Sequence, residues 1–274
     1  MWSERGTGGT LSGLRAHGRK DQRGLPRGAQ EEVKAIILAG GLGTRLREKV
    51  REVPKPMAEI LGKPFLEWQL ELLKSWGIRE VILSVGYLAD KIKSYFKEGE
   101  QLGISIRYAE EKEPLDDGGG LKNACRLLGG DEDFLAANGD TYLDLTPEEF
   151  SRFSALHRET DALVTLALAR RDKPQKSGLV ELRNSQILRY EEREGAGLVN
   201  AGYMLFRREA LDYMPPSDKF SLGRDFLPLL VQTGRAHGFI TNSFFLDLGT
   251  PQDYENMKKG LGELLRSRRG HPSG

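Results

Sequence analysis

The chain has 274 residues and a formal net charge of +1, with 41 lysines and arginines against 40 aspartates and glutamates. Nucleic-acid-binding domains usually carry a strong basic excess, so this balance points away from such a surface and leaves anion binding to a few local cations. A single cysteine, Cys125, excludes an internal disulfide framework and a cysteine-rich metal site, and the histidines at 17, 157, 237 and 271 show no ligand spacing.

Residues 1–32 are rich in glycine and arginine and hold no apolar stretch long enough for a signal peptide or anchor. They are expected to be a disordered extension, with a mis-called start and initiation at Val33 as the alternative. Residues 33–268 suit one α/β domain of ordinary size. No later segment has the length of a spanning helix, so a cytoplasmic protein without membrane contact is expected.

Residues 33–39 read as a buried strand, because Val33, Ala35, Ile36, Ile37, Leu38 and Ala39 are nearly unbroken apolar sequence closed by glycines. Gly40, Gly41, Leu42, Gly43 and Thr44 follow, and three glycines among five residues let backbone N–H groups approach an anion. Leu46 stands where a dinucleotide fingerprint has its third glycine, and no Lys-Ser or Lys-Thr pair completes a P-loop. What remains are two cations, Arg45 leaving the loop and Lys55 between Pro54 and Pro56, which hold its backbone still. A guanidinium suits bidentate contact with pyrophosphate oxygens, and an ammonium suits one phosphate.

Further along, 64–76 carries apolar residues at helical spacing with Gly77 as a C-cap, and 81–85 returns as a strand. Residues 88–96 and 118–128 read as helices, and 104–108 and 134–137 as strands. Such alternation implies a mostly parallel sheet whose ligands lie beyond the strands' carboxyl ends. The second half reads as strands at 163–169 and 199–206, with a hairpin of 178–182 and 187–190 around Asn184 and Ser185. Asp140 and Asp247 each follow a short apolar run, so carboxylates distant in sequence can converge on one magnesium ion. Separately, Asp140 suits a turn and Asp247 a helix cap before Pro251.

LAGGLGTRL followed by VPKPM resembles the signature of sugar-1-phosphate nucleotidyltransferases, and EEKEPLDDGGGLKNA, NGDTYLD, RYEER, NAGYMLF and FFLDLGTPQDY follow in that family's order. The resemblance implies a Rossmann-like, mostly parallel central sheet flanked by helices, with a small sugar-binding β lobe. It also implies a nucleoside triphosphate and a sugar 1-phosphate as substrates, and Mg2+ held by Asp140 and Asp247. Arg45 and Lys55 would be the catalytic cations. Leu38, Ala39, Gly40, Gly41, Gly43, Thr44, Asp116, Asp117, Gly118, Gly119 and Gly139 would line the nucleotide. Gly178, Glu192, Arg193 and Asn200 would meet the sugar phosphate, Arg193 standing where relatives commonly have lysine. A phosphomonoester with a second pKa of about 6 is already anionic near neutral pH, so such an enzyme needs no general base.

Where the family's loop often reads PLGTGG or PLGTAG, this chain has PLDDGGG. A carboxylate at Asp116 or Asp117 can accept from guanine N1 and N2 together, which favours GTP, with the Gly118 and Gly119 backbone supporting the base. The same loop also resembles uridylyltransferases acting on N-acetylmuramate 1-phosphate. The wider pattern looks most like guanylyltransferases acting on D-glycero-α-D-manno-heptose 1-phosphate or mannose 1-phosphate. A non-catalytic nucleotide-sugar-binding subunit is disfavoured by the presence of Arg45, Lys55, Asp140 and Asp247, and a nicotinamide-dependent oxidoreductase by the missing third glycine; a homo-oligomer is a further expectation.

Overall fold

Alternate residues of one short strand feed two hydrophobic cores. In β1 (Lys34–Leu38), Ala35 and Ile37 enter one core and Ile36 the other, as the period-2 geometry of a strand requires. The computed structural model describes residues 33–41, 53–130 and 133–269.

After β1 come a short antiparallel pair, β2 (Glu59–Ile60) and β3 (Lys63–Pro64), then α1 (Phe65–Ser75) and β4 (Glu80–Val85). Next are α2 (Ala89–Phe96), β5 (Ser105–Glu110), α3 (Asp116–Cys125), β6 (Phe134–Asn138) and β7 (Thr141–Leu143). Beyond these run α4 (Pro147–Glu159), β8 (Val164–Arg183), β9 (Gln186–Phe206), α5 (Leu227–Gln232), β10 (Ala236–Ile240), β11 (Phe245–Asp247) and α6 (Pro251–Arg269). The main sheet has the order β10-β8-β9-β6-β1-β4-β5. Its half β6-β1-β4-β5 is parallel, and β9 runs antiparallel to both β6 and β8.

Helices cover both faces, as the expected mostly parallel sheet demands. Leu66, Leu70 and Leu73 of α1, Ile92 and Phe96 of α2 and Phe153 of α4 pack on the face shared by Ala35 and Ile37. Leu121, Ala124 and Cys125 of α3 and Leu227 and Leu230 of α5 pack on the face of Ile36. Cys125 is buried there as a small apolar residue, and burial pushes its thiol up to about 12. A third cluster joins α6, through Met257 and Leu261, to Ala58, Ile60, Tyr142 and Leu248.

The second half departs from the expected pieces. The strand at 163–169, the hairpin and the strand at 199–206 fuse into β8 and β9, of 20 and 21 residues, turning at Asn184 with φ 57°. Register shifts at Arg171/Gln175 and Leu179 bend the ladder, and its turn folds back to pair Gln186 with His237 of β10. The charged run from Arg170 to Lys176 offers no apolar alternation, which is why the sequence reads as a gap there. Helix α4 also went unassigned, although Thr146 and Glu149 form a reciprocal capping box with Pro147 at the first turn. No helix among the described residues is long and apolar enough to cross a membrane.

Candidate active site

The turn between β6 and β7, Asn138 to Thr141, is fastened from three sides. Gly139 N donates to Leu38 O at 2.9 Å, tying the turn to the end of β1. Gln69, buried on α1, donates through Nε2 to Asn138 O at 2.8 Å and to Thr141 O at 2.7 Å. The Tyr203 hydroxyl donates to Thr141 O at 3.2 Å. A Cβ on Gly139 would stand 2.5 Å from Leu38 O and 3.0 Å from Ala39 Cα, both backbone atoms that cannot swing aside. Gly139→Ala is therefore expected to lower stability by about 1–3 kcal/mol, the usual cost of overpacking, and to reduce turnover. Urea titration beside a turnover assay checks both, and an unchanged midpoint would contradict the tight approach.

Asp140 projects from this turn. Its Oδ2 accepts from Lys55 Nζ at 2.5 Å, although 85 positions separate the two residues in sequence. Strand β11 lies antiparallel to β7 and sets Asp247 directly opposite Thr141. Thr141 Oγ1 is 2.8 Å from Asp247 Oδ1 and 3.3 Å from Asp140 Oδ1, so the hydroxyl bridges two carboxylates and donates its one proton to the nearer. Arg171, which the sequence did not single out, donates from Nη2 to Asp247 Oδ2 at 2.7 Å and lies over the Phe245 ring. Burial and then the Asp140 charge raise the pKa of Asp247, against the opposing pull of Arg171 and Thr141.

Among the described residues no three His, Cys, Asp or Glu side chains gather as a metal site. Two neighbouring carboxylates nevertheless suit Mg2+, which commonly takes one or two carboxylates and completes its shell with water and phosphate oxygens. The donor set therefore fits the ion, with Lys55 paired to Asp140 and Arg171 to Asp247.

A cleft of about 640 Å³ opens here and is lined by Leu38, Ala39, Gly40, Gly41, Lys55, Asp116, Asp117, Gly139, Asp140 and Glu192 among the anticipated residues. Gly43, Thr44 and Arg45 lie outside the described residues. The two aspartates of PLDDGGG differ in kind. Asp117 Oδ1 accepts from Gly118 N at 2.9 Å and Leu222 N at 2.8 Å, fastening the start of α3 to the turn Leu222–Phe226. Asp116 sits at φ 59° with an exposed side chain on the cleft wall.

Gly118 and Gly119 serve the same junction. Both N–H groups donate to Phe220 O, at 3.1 and 3.2 Å, so they are already taken, and neither glycine lines the cleft. Glu111 does line it and escaped the sequence reading. Its Oε1 accepts from the Ser84 hydroxyl at 3.0 Å, and burial raises its pKa. A Cβ on Gly40 would collide with that carboxylate, so the glycine makes room for Glu111.

On the β8–β9 hairpin, Glu192 reaches the cleft and lies against Gly223, where a Cβ would overlap its carboxylate. Gly178 is opposite Glu192 in the β8–β9 ladder, its missing side chain leaving space for the Tyr190 hydroxyl. Asn200 Oδ1 accepts from Gly202 N at 3.0 Å, and Nδ2 meets Met204 Sδ at 3.5 Å. Gly178, Asn200, Arg193 and Asp247 do not line the cleft, and Asp247 is linked to the lining Asp140 through the Thr141 hydroxyl. Lys176 and Arg224 do line it and were not anticipated. The signal that could have found Lys176 is its strand parity with Gly178.

Residues 34–263 match the model of the family described as nucleotidyl transferase. The D-glycero-alpha-D-manno-heptose 1-phosphate guanylyltransferase of Aneurinibacillus thermoaerophilus is 38% identical over 235 residues, covering 85% of this chain and 100% of that protein. The mannose-1-phosphate guanylyltransferase of Mycobacterium tuberculosis is 34% identical over 244 residues, covering 87% of this chain and 66% of that one. The crystal structure of HddC from Yersinia pseudotuberculosis complexed with GMP-PN superimposes with a TM-score of 0.71 at 33% identity, covering 84% of this chain and 99% of that one. With these matches running through the glycine loop, Lys55, Asp140 and Asp247, the chain belongs to the nucleotidyl transferase family.

Proposed function

We propose that the protein is a magnesium-dependent guanylyltransferase that joins GTP and a heptose- or mannose-type sugar 1-phosphate into a nucleotide sugar, releasing pyrophosphate. The observation that carries this reading is the meeting of Lys55, Asp140 and Asp247, from three distant segments, beside a cleft floored by glycines. The guanylyl part is supported by the names of the relatives and by two cleft carboxylates, Glu111 and Asp116. Guanine offers N–H donors at N1 and N2 to such groups, whereas uracil offers one.

The chemistry needs no proton acceptor on the protein, since the attacking phosphate is already charged. It needs relief of repulsion between two anions and of charge building on the leaving group. Lys55 supplies a fixed positive charge, and the glycines at 40 and 41 give backbone access to phosphate. Arg45 is proposed to grip the pyrophosphate, and Glu192 to accept sugar hydroxyls. Asp140 and Asp247 would hold Mg2+, which neutralises triphosphate oxygens when bound. We further place the catalytic domain at 33–268, with 1–32 outside it, and the reaction in the cytoplasm where nucleoside triphosphates are made.

Pyrophosphate release from every pairing of GTP, UTP, CTP, ATP and dTTP with a set of sugar 1-phosphates tests the whole reading. GTP with a manno-configured sugar should give the highest kcat/KM, and absence of turnover with every pair would refute it. Asp116→Ala combined with Glu111→Gln is expected to lower the GTP-to-UTP ratio of kcat/KM by about tenfold or more, the size of one charged hydrogen bond lost. A ratio that does not move would remove these carboxylates from base selection.

A further inference from the structure

A sugar 1-phosphate carries hydroxyls and a dianion within one small molecule, so its site needs an acceptor and a cation on the same face of the protein. Glu192 is the acceptor. Successive side chains of a strand leave on opposite faces, so the residue after Glu192 turns away from the cleft. Arg193 does so: its side chain is 52% exposed, and its Nε lies 3.2 Å from Glu191 Oε2, which Arg189 also holds at 3.0 Å. It belongs to a charged outer row of the hairpin with Arg189 and Glu191.

The paired strand supplies what Arg193 does not. In the β8–β9 ladder Gly178 faces Glu192, Ser177 faces Arg193 and Lys176 faces Glu194. Lys176 therefore shares the face of Glu192, diagonally across the ladder at roughly 7–8 Å between backbones, within reach of a lysine side chain. Gly178, the intervening residue on that face, has no side chain of its own, and the Tyr190 hydroxyl fills the space beside it. Lys176 lines the cleft, its charge acts on Glu192, and among the described residues its side chain makes no hydrogen bond or close ion pair. The neighbouring cations are engaged: Lys55 with Asp140, Arg171 with Asp247, and Arg224 at 3.8 Å from Asp116.

We infer that Lys176, and not Arg193, is the cation that takes the phosphate of the sugar 1-phosphate, an inference that rests on the transferase reading above. The dianion completes a row in which Glu192 holds hydroxyls and Lys176 holds charge.

Steady-state kinetics with GTP and the sugar 1-phosphate that wild type turns over best decide between the two cations. Lys176→Ala is expected to raise KM for the sugar 1-phosphate at least tenfold while KM for GTP stays within twofold, and Lys176→Arg recovers part of the loss. Arg193→Ala is expected to raise the same KM less than threefold. The reverse ranking, or an equal effect of Lys176→Ala on both substrates, overturns the inference. Should wild type release no pyrophosphate from any pair, the transferase reading fails by itself. Calorimetric titration with mannose 1-phosphate then judges the lysine: at least tenfold weaker binding to Lys176→Ala supports it, whereas equal binding, or none by wild type, overturns it.

Discussion

Replacing Lys55 with alanine is expected to lower kcat by about two to three orders of magnitude, the loss typical when one preorganised charge is removed from a reaction that depends on electrostatics. The lysine opens a tight turn, Lys55–Met57, between Pro54 and a buried Pro56, and Ala58 N closes it onto Lys55 O at 3.1 Å. The turn is fixed from outside as well. Phe65 N donates to Ala58 O at 2.9 Å, and the Tyr254 hydroxyl of α6 donates to Glu59 O at 2.8 Å. None of these bonds involves the Lys55 side chain, so truncation leaves the backbone standing. Asp140 loses its partner but is 38% exposed, and water replaces most of the contact. Stability should fall by less than about 1 kcal/mol, as for other partly solvated pairs. Lys55→Arg should recover little, because a planar guanidinium does not occupy the place of a compact ammonium 2.5 Å from Asp140. Single-turnover rates beside thermal melts separate the two effects. A kcat within threefold of wild type would remove Lys55 from the chemistry.

The parallel half of the sheet was legible because burial on both faces writes itself as continuous apolar sequence, as in Lys34–Leu38. Lys55, Asp140 and Asp247 stood out as parts of motifs, and the fold brings these three together. Arg171 and Glu111 were not, because nothing local marks them. Arg171 reaches Asp247 across 76 positions, and Glu111 reaches Ser84 through the pairing of β4 with β5. The difference between Asp116 and Asp117 depends on where α3 begins and on a turn over a hundred residues later that Asp117 fastens. The turn away of Arg193 from the cleft was within reach of the sequence, since parity alone separates it from Glu192 once 187–199 is read as strand. Reading a gap between the hairpin and 199–206 hid that continuity.

The second large effect concerns the carboxylate pair. Asp247→Asn is expected to lower kcat by about two orders of magnitude and to raise the Mg2+ concentration for half-maximal rate at least tenfold, because a neutral amide oxygen is a far weaker ligand for a hard dication than a carboxylate. Asparagine keeps the shape of the site, and an amide oxygen can still accept from Thr141, which now makes that contact at 2.8 Å. It takes away the charge that Arg171 meets at 2.7 Å, while the arginine side chain is only 14% exposed. A cation left with poorer compensation there costs roughly 1–3 kcal/mol, so the melting temperature should fall by several degrees while the fold persists. Arg171→Ala distinguishes the structural part from the metal part: it should lower stability by a similar amount without the same rise in the Mg2+ requirement. Magnesium titrations of turnover for the three proteins, each at a temperature well below its own melting point, read the difference. If Asp247→Asn saturates with Mg2+ where wild type does, the ion is not held by this carboxylate, and Asp247 is left as an anchor for Arg171 alone.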